Sequence, residues 1–512
     1  MGAIATPHAL ATAAGAQAYK DGGNAIDAAL AAAAMLTVVY PHQCALGGDL
    51  FAVVGLPGGE SKSVNGTGSS AAALDVADIR SRFATMPDSG PIPVTVPGLV
   101  GGWQAIHSLG GRLPWTRLLA PAARAAREGV PVSRSLENGI QKRKDVLLRD
   151  PGMRARFFTE GVPLRQGAEL HQPELAETLQ GLAQAGLRDF YTGQVARQLV
   201  KGLRALGSSL AEVDFATHRT EIESPLRLKL GELTLETSPP NSQGFVLLEA
   251  LAALGAAGLH RSGDPASLLH ALLLAIEDRE KYLGDPQRSP VPLDQLLDPD
   301  TLQQRLRTRG IGTSKRESPP AHGDTVAVCS LDNDGLGVSL IQSVFQLFGS
   351  GILEPQTGVI FHNRGRGFSL NAGAPNELAP RTRPAHTLMP LLVRRRQALE
   401  AVMGTMGGRA QPQILAQILG GVLDPHTPLG TTLRAPRWVA GSLDIDFPQA
   451  TIAVEADAPA KFADVLTAPG FKEARIPPLS EIVGHAQVIR VAGAGRLEAA
   501  SDPRSDGEAL VV

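Results

Sequence analysis

The stretch "TVAVCSLDNDGLGVSLIQSVF", residues 325–345, has the clearest strand pattern of the chain. Two runs of β-branched and apolar residues are separated by "NDG", which is typical of a hairpin turn. A polar, proline-rich stretch, "SPPAHG" at 318–323, comes directly before the first run. The sequence therefore predicts a β-hairpin whose first strand begins at Thr325, after an exposed and mobile connection at about 286–324.

Thr325 could act as a nucleophile if the chain were cut immediately before it. Cleavage between Asp324 and Thr325 would give Thr325 a free α-amine beside its own hydroxyl. An α-amine has a pKa of about 7.7–8.0, so it can act as general base for the neighbouring Oγ1. The letters "GDT" also fit an ordinary turn that enters a strand, so the residues alone leave both interpretations open.

The charges of the chain are balanced and argue against a nucleic-acid partner. Lys and Arg total 48 against 50 Asp and Glu, a formal net charge of −2 over 512 residues. The one dense basic spot, Arg394–Arg396, lies between apolar runs and is predicted to be a solvated hairpin turn. Cys44 and Cys329 lie in apolar stretches, which is typical of buried thiols in a reducing compartment.

Signals for membranes, metals and cofactors are missing from the sequence. The chain does not open on a secretory signal pattern, and its apolar runs are too short for a membrane span. We therefore expect a cytoplasmic protein without a membrane partner. His322 and His386 are too isolated in sequence to suggest a metal site, and the glycine-rich stretches lack phosphate-loop spacing. The sequence predicts neither a metal nor a cofactor.

Helical patterns come first along the chain, and strand patterns occur in both of its halves. Two alanine-rich helices are predicted near its beginning, one with its N-cap at Thr6 and the other with its N-cap at Asn24. Residues 97–285 are mostly helical, and short strands alternate with turns from Thr325 onward. Regular βαβ alternation is missing, which favours a layered α+β fold over a doubly wound one.

Several distinctive blocks are spread over the chain. They are "GGNAIDAALAAAAMLTVVYPHQCALGGD" at 22–49, "TSPPNSQGFVLLEAL" at 237–251, "RPAHTLMP" at 383–390, "MGTMGG" at 403–408 and "ASDPRSDG" at 500–507. In this order, together with the stretch from Thr325, they resemble the γ-glutamyltranspeptidase family of N-terminal nucleophile hydrolases. The resemblance covers residues 3–507. It implies a four-layer αββα sandwich and self-cleavage into a large subunit, 1–324, and a small subunit, 325–512, which together form one compact unit.

The resemblance also implies roles for individual residues. Thr325 would be both the self-cleavage residue and the catalytic nucleophile, and Ser343 would be a second hydroxyl that supports its amine. Backbone N–H groups of Gly407 and Gly408 would bind the tetrahedral oxyanion. Asn363 would lie near the substrate. From the residues alone, Ser343 fits an ordinary strand hydroxyl equally well, and the two glycines fit a tight turn.

The residues that hold a γ-glutamyl group in the family are mostly replaced. Phe345 stands in place of an asparagine, Gly367 in place of the acid that binds the amine, and His386 with Thr387 in place of a serine pair. Thr67 lies at about the place of the arginine that clamps the carboxylate. The acylation residues are kept while the specificity pocket is rewritten, as in the divergent branch that includes oxamate amidohydrolase and the cephalosporin or glutaryl acylases.

Two arginines lie beside the replaced acid. Arg364 and Arg366 could bind a small carboxylate through two parallel hydrogen bonds, or both could be solvent-exposed loop residues. The residues expected to contact substrate are Phe345, Asn363, Arg364, His386 and Thr387.

The leading hypothesis is an autoprocessed threonine amidohydrolase. It would transfer the acyl group of a small, oxamate-like or other amide to water or an amine through an acyl-enzyme on Thr325. One alternative is a true γ-glutamyltransferase or glutathione hydrolase with altered glutamyl anchors, and another is a non-catalytic binding member of the family. The acyl group, the acceptor and the oligomeric state are left open, and a homodimer or a tetramer of processed units would fit.

Overall fold

A computed structural model describes residues 1–255, 264–308, 324–441, 451–459 and 471–512 of the chain. Its α-helices are α1 Ala9–Lys20, α2 Ala25–Val39, α3 Val76–Arg82, α4 Leu99–Ser108, α5 Trp115–Leu118, α6 Ala120–Glu128, α7 Arg134–Leu147, α8 Pro151–Phe157, α9 Pro173–Ala185, α10 Asp189–Thr192, α11 Gln194–Ala205, α12 Glu212–Ala216, α13 Gly244–Leu254, α14 Pro265–Tyr282, α15 Leu293–Leu296, α16 Pro299–Thr308, α17 Gln411–Leu423 and α18 Leu429–Arg434. Short 3₁₀ turns cover Arg364–Gly367, Gly408–Ala410, Glu481–Val483 and Gly493–Gly495.

The strands are distributed over the whole chain. They are β1 Gly2–Thr6, β2 Asp49–Gly55, β3 Ser61–Gly66, β4 Val130–Pro131, β5 Phe158–Thr159, β6 Val162–Pro163, β7 Glu169–Leu170, β8 Glu221–Glu223, β9 Leu226–Leu230, β10 Leu233–Thr237, β11 Asp324–Asp332, β12 Gly337–Phe345, β13 Leu353–Glu354, β14 Val359–Ile360, β15 Leu391–Arg395, β16 Ala398–Thr405, β17 Trp438–Ala440, β18 Thr451–Glu455, β19 Lys472–Ile476, β20 Ala486–Ala492, β21 Arg496–Ser501 and β22 Glu508–Val511.

The predicted hairpin, β11–β12, forms the centre of the larger sheet and is confirmed. Among the described strands, this antiparallel sheet has the order β22-β1-β11-β12-β2-β3-β8. Leu331 of β11 pairs with Gly337 of β12 next to the "NDG" turn. Every residue of β12 is buried. Such complete burial fixes the register of β12, because a slip by one residue would turn all the side chains of this strand to the opposite face.

A second antiparallel sheet packs face to face with the first. Its order among the described strands is β21-β20-β16-β15-β10-β9. One hydrophobic cluster contains side chains from both sheets, among them Ala5, Val53 and Cys329 from the larger sheet and Leu392 and Val402 from the smaller one. Burial of these apolar side chains between the sheets holds the two together.

Helices cover the outer faces of the two sheets. Helix α2 is buried along its whole length and packs with α1, α4 and α6 against the larger sheet. Helix α13 is also buried throughout and packs with α14 and α17 against the smaller sheet. The chain is therefore a mixed α/β structure. None of the helices in the described ranges has the length and apolar character needed to cross a membrane.

The two predicted N-caps have different outcomes. Asn24 caps α2 as predicted, because its side chain accepts the N–H of Asp27 while the Asp27 carboxylate accepts the N–H of Asn24. The prediction for Thr6 was wrong, since Thr6 ends strand β1 and His8 caps α1. Strand β1 gains backbone hydrogen bonds to β11 and β22, which are remote in sequence and outweigh the local capping signal.

The two predictions about burial of arginine and cysteine side chains also differ in outcome. Arg394–Arg396 lies at the hairpin turn between β15 and β16, but Arg394 is not solvated. It is 3% exposed, and its Nε donates to Oε2 of Glu236 at 3.0 Å. Only Arg395 and Arg396 face solvent. Both cysteines are buried free thiols, as predicted.

Part of the predicted connection at 286–324 lies outside the described residues, namely 309–323. In its described part, α15 and α16 contribute buried Leu296 and Leu302 to the core around α13. Nη2 of Arg305 in α16 lies 2.7 Å from Oδ2 of Asp278 in α14.

A buried ionic cluster ties the C-terminal part of the chain together. Arg504 donates from Nε to Oε1 of Glu455 at 3.0 Å and from Nη1 to Oδ1 of Asp502 at 3.1 Å. Nη2 of Arg437 lies 2.6 Å from Oδ2 of Asp502. The four side chains are at most 1% exposed, so each charge depends on its partners.

Glu455→Gln should destabilise the protein strongly. The substitution keeps the size of the side chain but leaves Arg504 a buried cation with one carboxylate fewer, and breaking a buried ion pair typically costs about 3–5 kcal/mol. Urea denaturation followed by circular dichroism measures the change. Glu232→Gln, which removes an exposed partner of Arg396, serves as the control and should leave the midpoint unchanged. Equal midpoints for both variants would contradict a structural role of the cluster.

Candidate active site

Thr325 lies at a bulge near the start of the central strand. The pairing of β11 with β12 shifts in register between Asp324 and Val326. Bulges of this kind re-aim a side chain and occur next to active sites. Thr325 is fully buried, and its Oγ1 has no hydrogen-bond partner among the described residues. The hydroxyl is therefore not used to hold the fold in place.

Ser343 lies directly beside the peptide bond that precedes Thr325. Its Oγ donates a hydrogen bond to the carbonyl oxygen of Asp324 at 2.7 Å and accepts one from the N–H of Phe345 at 2.7 Å. The structure thus brings two of the predicted catalytic residues together. A hydroxyl at this place can stabilise negative charge that develops on the carbonyl oxygen of residue 324.

A buried carboxylate between two imidazoles adjoins this pair and was not predicted. Asp49 pairs with Ser343 across β2 and β12. Its Oδ2 lies 3.3 Å from Nδ1 of His362 and 3.3 Å from Nε2 of His386. Burial raises the pKa of the Asp49 carboxyl, but the two imidazoles outweigh burial and hold that pKa well below its usual range. Asp49 therefore stays ionised in an apolar setting.

His386 is a neutral imidazole at neutral pH. Burial, assisted by the charge of Arg364, lowers the pKa of His386 to about 3. The sequence predicted that His386 contacts substrate and does not bind a metal, but its contact with Asp49, 337 residues away, was not predicted. The usable signal was the acid at the end of "GGD", since a carboxylate at the start of a buried strand needs a partner.

The Gly407–Gly408 turn lies at the same end of the sheets as Thr325. A Cβ on Gly404 would come within 3.0 Å of the Cβ of Ala327, and a Cβ on Gly337 would come 3.1 Å from Val402. Strand β16 therefore packs along β11 and runs toward Asp324, the first residue of β11. The turn that follows β16 lies at that end.

Both glycines of this turn have conformations that favour glycine. Gly407 has φ 141° and Gly408 has φ 54°. Among the described residues, neither N–H has an acceptor. Two unused backbone donors therefore lie at the Thr325 end of the sandwich, as an oxyanion site requires.

An open cavity of about 180 Å³ lies beside these elements. Its wall includes three of the residues expected to contact substrate, Phe345, His386 and Thr387, and also the replaced position Gly367. Gln243 joins this wall to the glycine turn, because its Nε2 donates to the carbonyls of Thr387 at 2.7 Å and Gly408 at 2.8 Å.

The remaining predicted residues are divided between two environments. Asn363 does not line the cavity, and its amide donates to the carbonyl of Asp88 at 2.7 Å and to Oε1 of Gln346 at 2.5 Å. Nε of Arg366 donates to Oδ1 of the same Asp88. The guanidinium of Arg364 instead contacts two residues of the cavity wall, Phe345 and Thr387.

Arg364 is buried behind that wall, so it is not an exposed loop residue. Its guanidinium carbon lies 4.1 Å from the centre of the Phe345 ring, and its Nη1 donates to Oγ1 of Thr387 at 3.2 Å. Stacking of this kind uses the flat face of the cation and leaves its edges available for hydrogen bonds.

Known proteins resemble this chain over nearly its whole length. The sequence model of the Gamma-glutamyltranspeptidase family matches residues 11–512. Oxamate amidohydrolase proenzyme of Klebsiella pneumoniae is 35% identical, over 99% of this chain and 98% of the relative. Glutathione hydrolase-like YwrD proenzyme of Bacillus subtilis is 34% identical, with 99% and 98% covered. The crystal structure of cephalosporin acylase from Bacillus halodurans has a TM-score of 0.89 at 31% identity and covers 99% of this chain and 95% of its own.

These similarities confirm the family resemblance that the sequence blocks indicated. They extend across both sheets and all the site residues named above, so the match is not confined to one motif. The chain is an enzyme of the gamma-glutamyltranspeptidase family.

Proposed function

We propose that this enzyme is a self-processing amidohydrolase whose nucleophile is Thr325. The observation that carries the proposal is the contact of the Ser343 hydroxyl with the carbonyl oxygen of Asp324, beside an unpartnered Thr325 hydroxyl. Relatives with the word proenzyme in their names support a processed precursor.

Self-cleavage would begin with attack of Thr325 Oγ1 on the carbonyl carbon of Asp324. The Ser343 hydroxyl would stabilise the oxygen of that carbonyl as it gains charge. Loss of the C–N bond would give an ester on Thr325 and free its amine, and water would then cleave the ester and release the Asp324 carboxylate. The products would be subunits 1–324 and 325–512 in one compact unit, with the helices and paired sheets arranged as a four-layer αββα sandwich.

Turnover would use the amine that cleavage creates. The amine of Thr325 would accept the proton of its own Oγ1 while Oγ1 attacks the substrate amide. N–H groups of Gly407 and Gly408 would bind the oxyanion, and each such donor typically contributes roughly 3–4 kcal/mol. The amine of the substrate would leave, and water would attack the acyl ester and regenerate Thr325.

The cavity favours this function over γ-glutamyl transfer. A γ-glutamyl donor carries an ammonium group that needs an acidic partner. Among the described residues of the cavity wall, Glu280 carries the only carboxylate. Its Oε1 lies 3.0 Å from Nη2 of Arg279 and 3.6 Å from Nη1 of Arg409, so its charge is already balanced.

Thr325→Ala should abolish both cleavage and turnover. The wild-type protein should separate into two bands on a denaturing gel, and the amino terminus of the smaller band should be Thr325. The variant should remain one full-length band without measurable amide hydrolysis. A wild-type protein that is active as an uncut chain would overturn the mechanism.

Ser343→Ala should slow self-cleavage. Loss of one donor to a developing oxyanion typically costs about 10²–10³-fold in rate, and Ser343→Thr should restore most of it because the hydroxyl is kept. A time course of cleavage on gels measures the rate. Ser330→Ala is the matched control, since its hydroxyl lies in β11 but bonds to Tyr19 at 2.6 Å. Equal rates for Ser343→Ala and Ser330→Ala would rule out the assigned role.

Amide turnover should fall at acid pH. The amine of Thr325 can accept a proton only when it is neutral, so kcat/KM should rise about tenfold per pH unit and level off near pH 7.7–8.0, the usual pKa of an α-amine. Self-cleavage takes place before the free amine of Thr325 exists, so its rate should not show this rise with pH. A pH profile shared by both reactions would count against the amine as the base.

A further inference from the structure

The Gly407–Gly408 turn is shaped by hydrogen bonds within its own segment. Thr405 Oγ1 donates to the carbonyl of Met406 at 2.7 Å. The N–H of Ala410 donates to the carbonyl of Gly407 at 2.8 Å. Each of these carbonyls belongs to the peptide group that carries the next N–H, that of Gly407 or that of Gly408. Because the peptide group is planar, holding the carbonyl also fixes the direction of the N–H.

Two side chains from the part of the chain before Thr325 reach this turn from outside. Gln243, at the N-cap of α13, donates from Nε2 to the carbonyl of Gly408 at 2.8 Å. Arg279 of α14 donates from Nη1 to the carbonyl of Arg409 at 3.2 Å. The internal bonds set the shape of the turn, whereas these two contacts tie the turn to α13 and α14.

The side-chain amide of Gln243 has an orientation that its neighbours fix. Its Oε1 accepts a hydrogen bond from Nη1 of Arg279 at 3.0 Å, and its Nε2 donates to the carbonyls of Thr387 and Gly408. A guanidinium can only donate and a carbonyl can only accept, so the opposite orientation of the amide would break all three hydrogen bonds. Gln243 is fully buried, and both hydrogens of its Nε2 are used on carbonyls of the protein.

Gln243 also ties the turn to the wall of the cavity. His386 and Thr387 line the cavity, and the backbone N–H of Gln243 donates to the carbonyl of His386 at 3.0 Å. One residue therefore bonds to two neighbouring positions of the wall and to the turn, and it holds the distance between them. This distance matters because a displacement of about 1 Å in an active site can cost roughly 10²-fold in rate.

We propose that Gln243 is a positioning residue for the Gly407–Gly408 turn. The inference rests on the proposed amidohydrolase function, in which the N–H groups of this turn bind the oxyanion that forms when Thr325 attacks the substrate. Gln243 has no side-chain hydrogen left for the substrate, so it acts through the turn and keeps the two donors where the oxyanion develops. Its effect is confined to the transition state, so its loss lowers kcat and leaves KM nearly unchanged.

Two substitutions separate the hydrogen bonds of Gln243. Gln243→Met keeps the length of the side chain but removes all its side-chain hydrogen bonds. Gln243→Glu keeps an acceptor for Arg279 but cannot donate to the two carbonyls. With the 4-nitroanilide of glutaric acid as the probe, both variants should lower kcat by roughly 10–100-fold and change KM by less than about threefold.

The matched control is Gln172→Met. Gln172, at the N-cap of α9, is also buried, and its Nε2 donates to the carbonyl of Val38 at 2.8 Å. This variant loses a comparable hydrogen bond and should keep the kcat of the wild type. Wild-type kcat in Gln243→Glu would mean that only the contact with Arg279 matters, and it would overturn the proposal. A loss that appears in KM alone would also overturn it.

Self-cleavage distinguishes a failure of this inference from a failure of the proposed function. The cleavage reaction uses the hydroxyl of Ser343 and not the Gly407–Gly408 turn, so Gln243→Met should be cut before Thr325 at the rate of the wild type. Slower cleavage in parallel with slower turnover would indicate a general structural role and would overturn the proposal. A wild-type protein that is not cut at all would contradict the proposed function, and the positioning role with it.

Boronate binding decides the case in which the anilide is not hydrolysed. Butylboronic acid can add to Oγ1 of Thr325: a B–O bond forms, the hydroxyl proton passes to the amine of Thr325, and boron becomes a tetrahedral anion that resembles the transition state. Boron NMR reports this tetrahedral adduct directly. Processed wild type should form the adduct, and Gln243→Met should bind the boronate at least about tenfold more weakly. Equal affinities, or no adduct with processed wild type, would refute the assigned role.

Discussion

The antiparallel register of β11, β12 and β2 is the constraint on which the site depends. Asp324 pairs with Phe345, and Ser343 pairs with Asp49, so groups from three strands lie in one row. A slip by one residue would turn every side chain of the row to the wrong face. The helices on one side and the second sheet on the other prevent such a slip, because both faces of β12 are buried.

The same packing explains why so few polar groups can organise the site. Asp49, its two imidazole partners and Arg364 all lie in surroundings of low polarity, where electrostatic interactions are stronger than in water. Each group is held by contacts of its own, such as the Gly98 N–H on Asp49 and the Phe345 ring on Arg364. As a consequence, any buried polar group of the site that lacks a partner destabilises the fold until a ligand binds to it.

Local patterns in the sequence predicted the parts of the fold that depend on neighbouring residues. The hairpin at Thr325, the Asn24 cap and the buried cysteines follow from turn chemistry and from apolar runs. The partners of β1, the burial of Arg394 and the meeting of Asp49 with His386 depend on residues that are remote in sequence, so no local pattern reports them. Family motifs drew attention to Ser343 and Gly407. The pairing of β12 with β11 places Ser343 beside Asp324, and the packing of β16 along β11 brings Gly407 toward the same end of the sheets.

The order of strands in the larger sheet has a consequence for a chain that is cut before Thr325. Strand β1, from the beginning of the chain, lies between β11 and β22, which both come after that point. In the smaller sheet, β10 from before the cut pairs with β15 from after it. Strands of the two pieces would alternate within both sheets. The pieces could therefore separate only if the backbone hydrogen bonds between these strands were broken. Cutting the bond would change the connectivity of the chain and create a new terminus at the site without dividing the molecule.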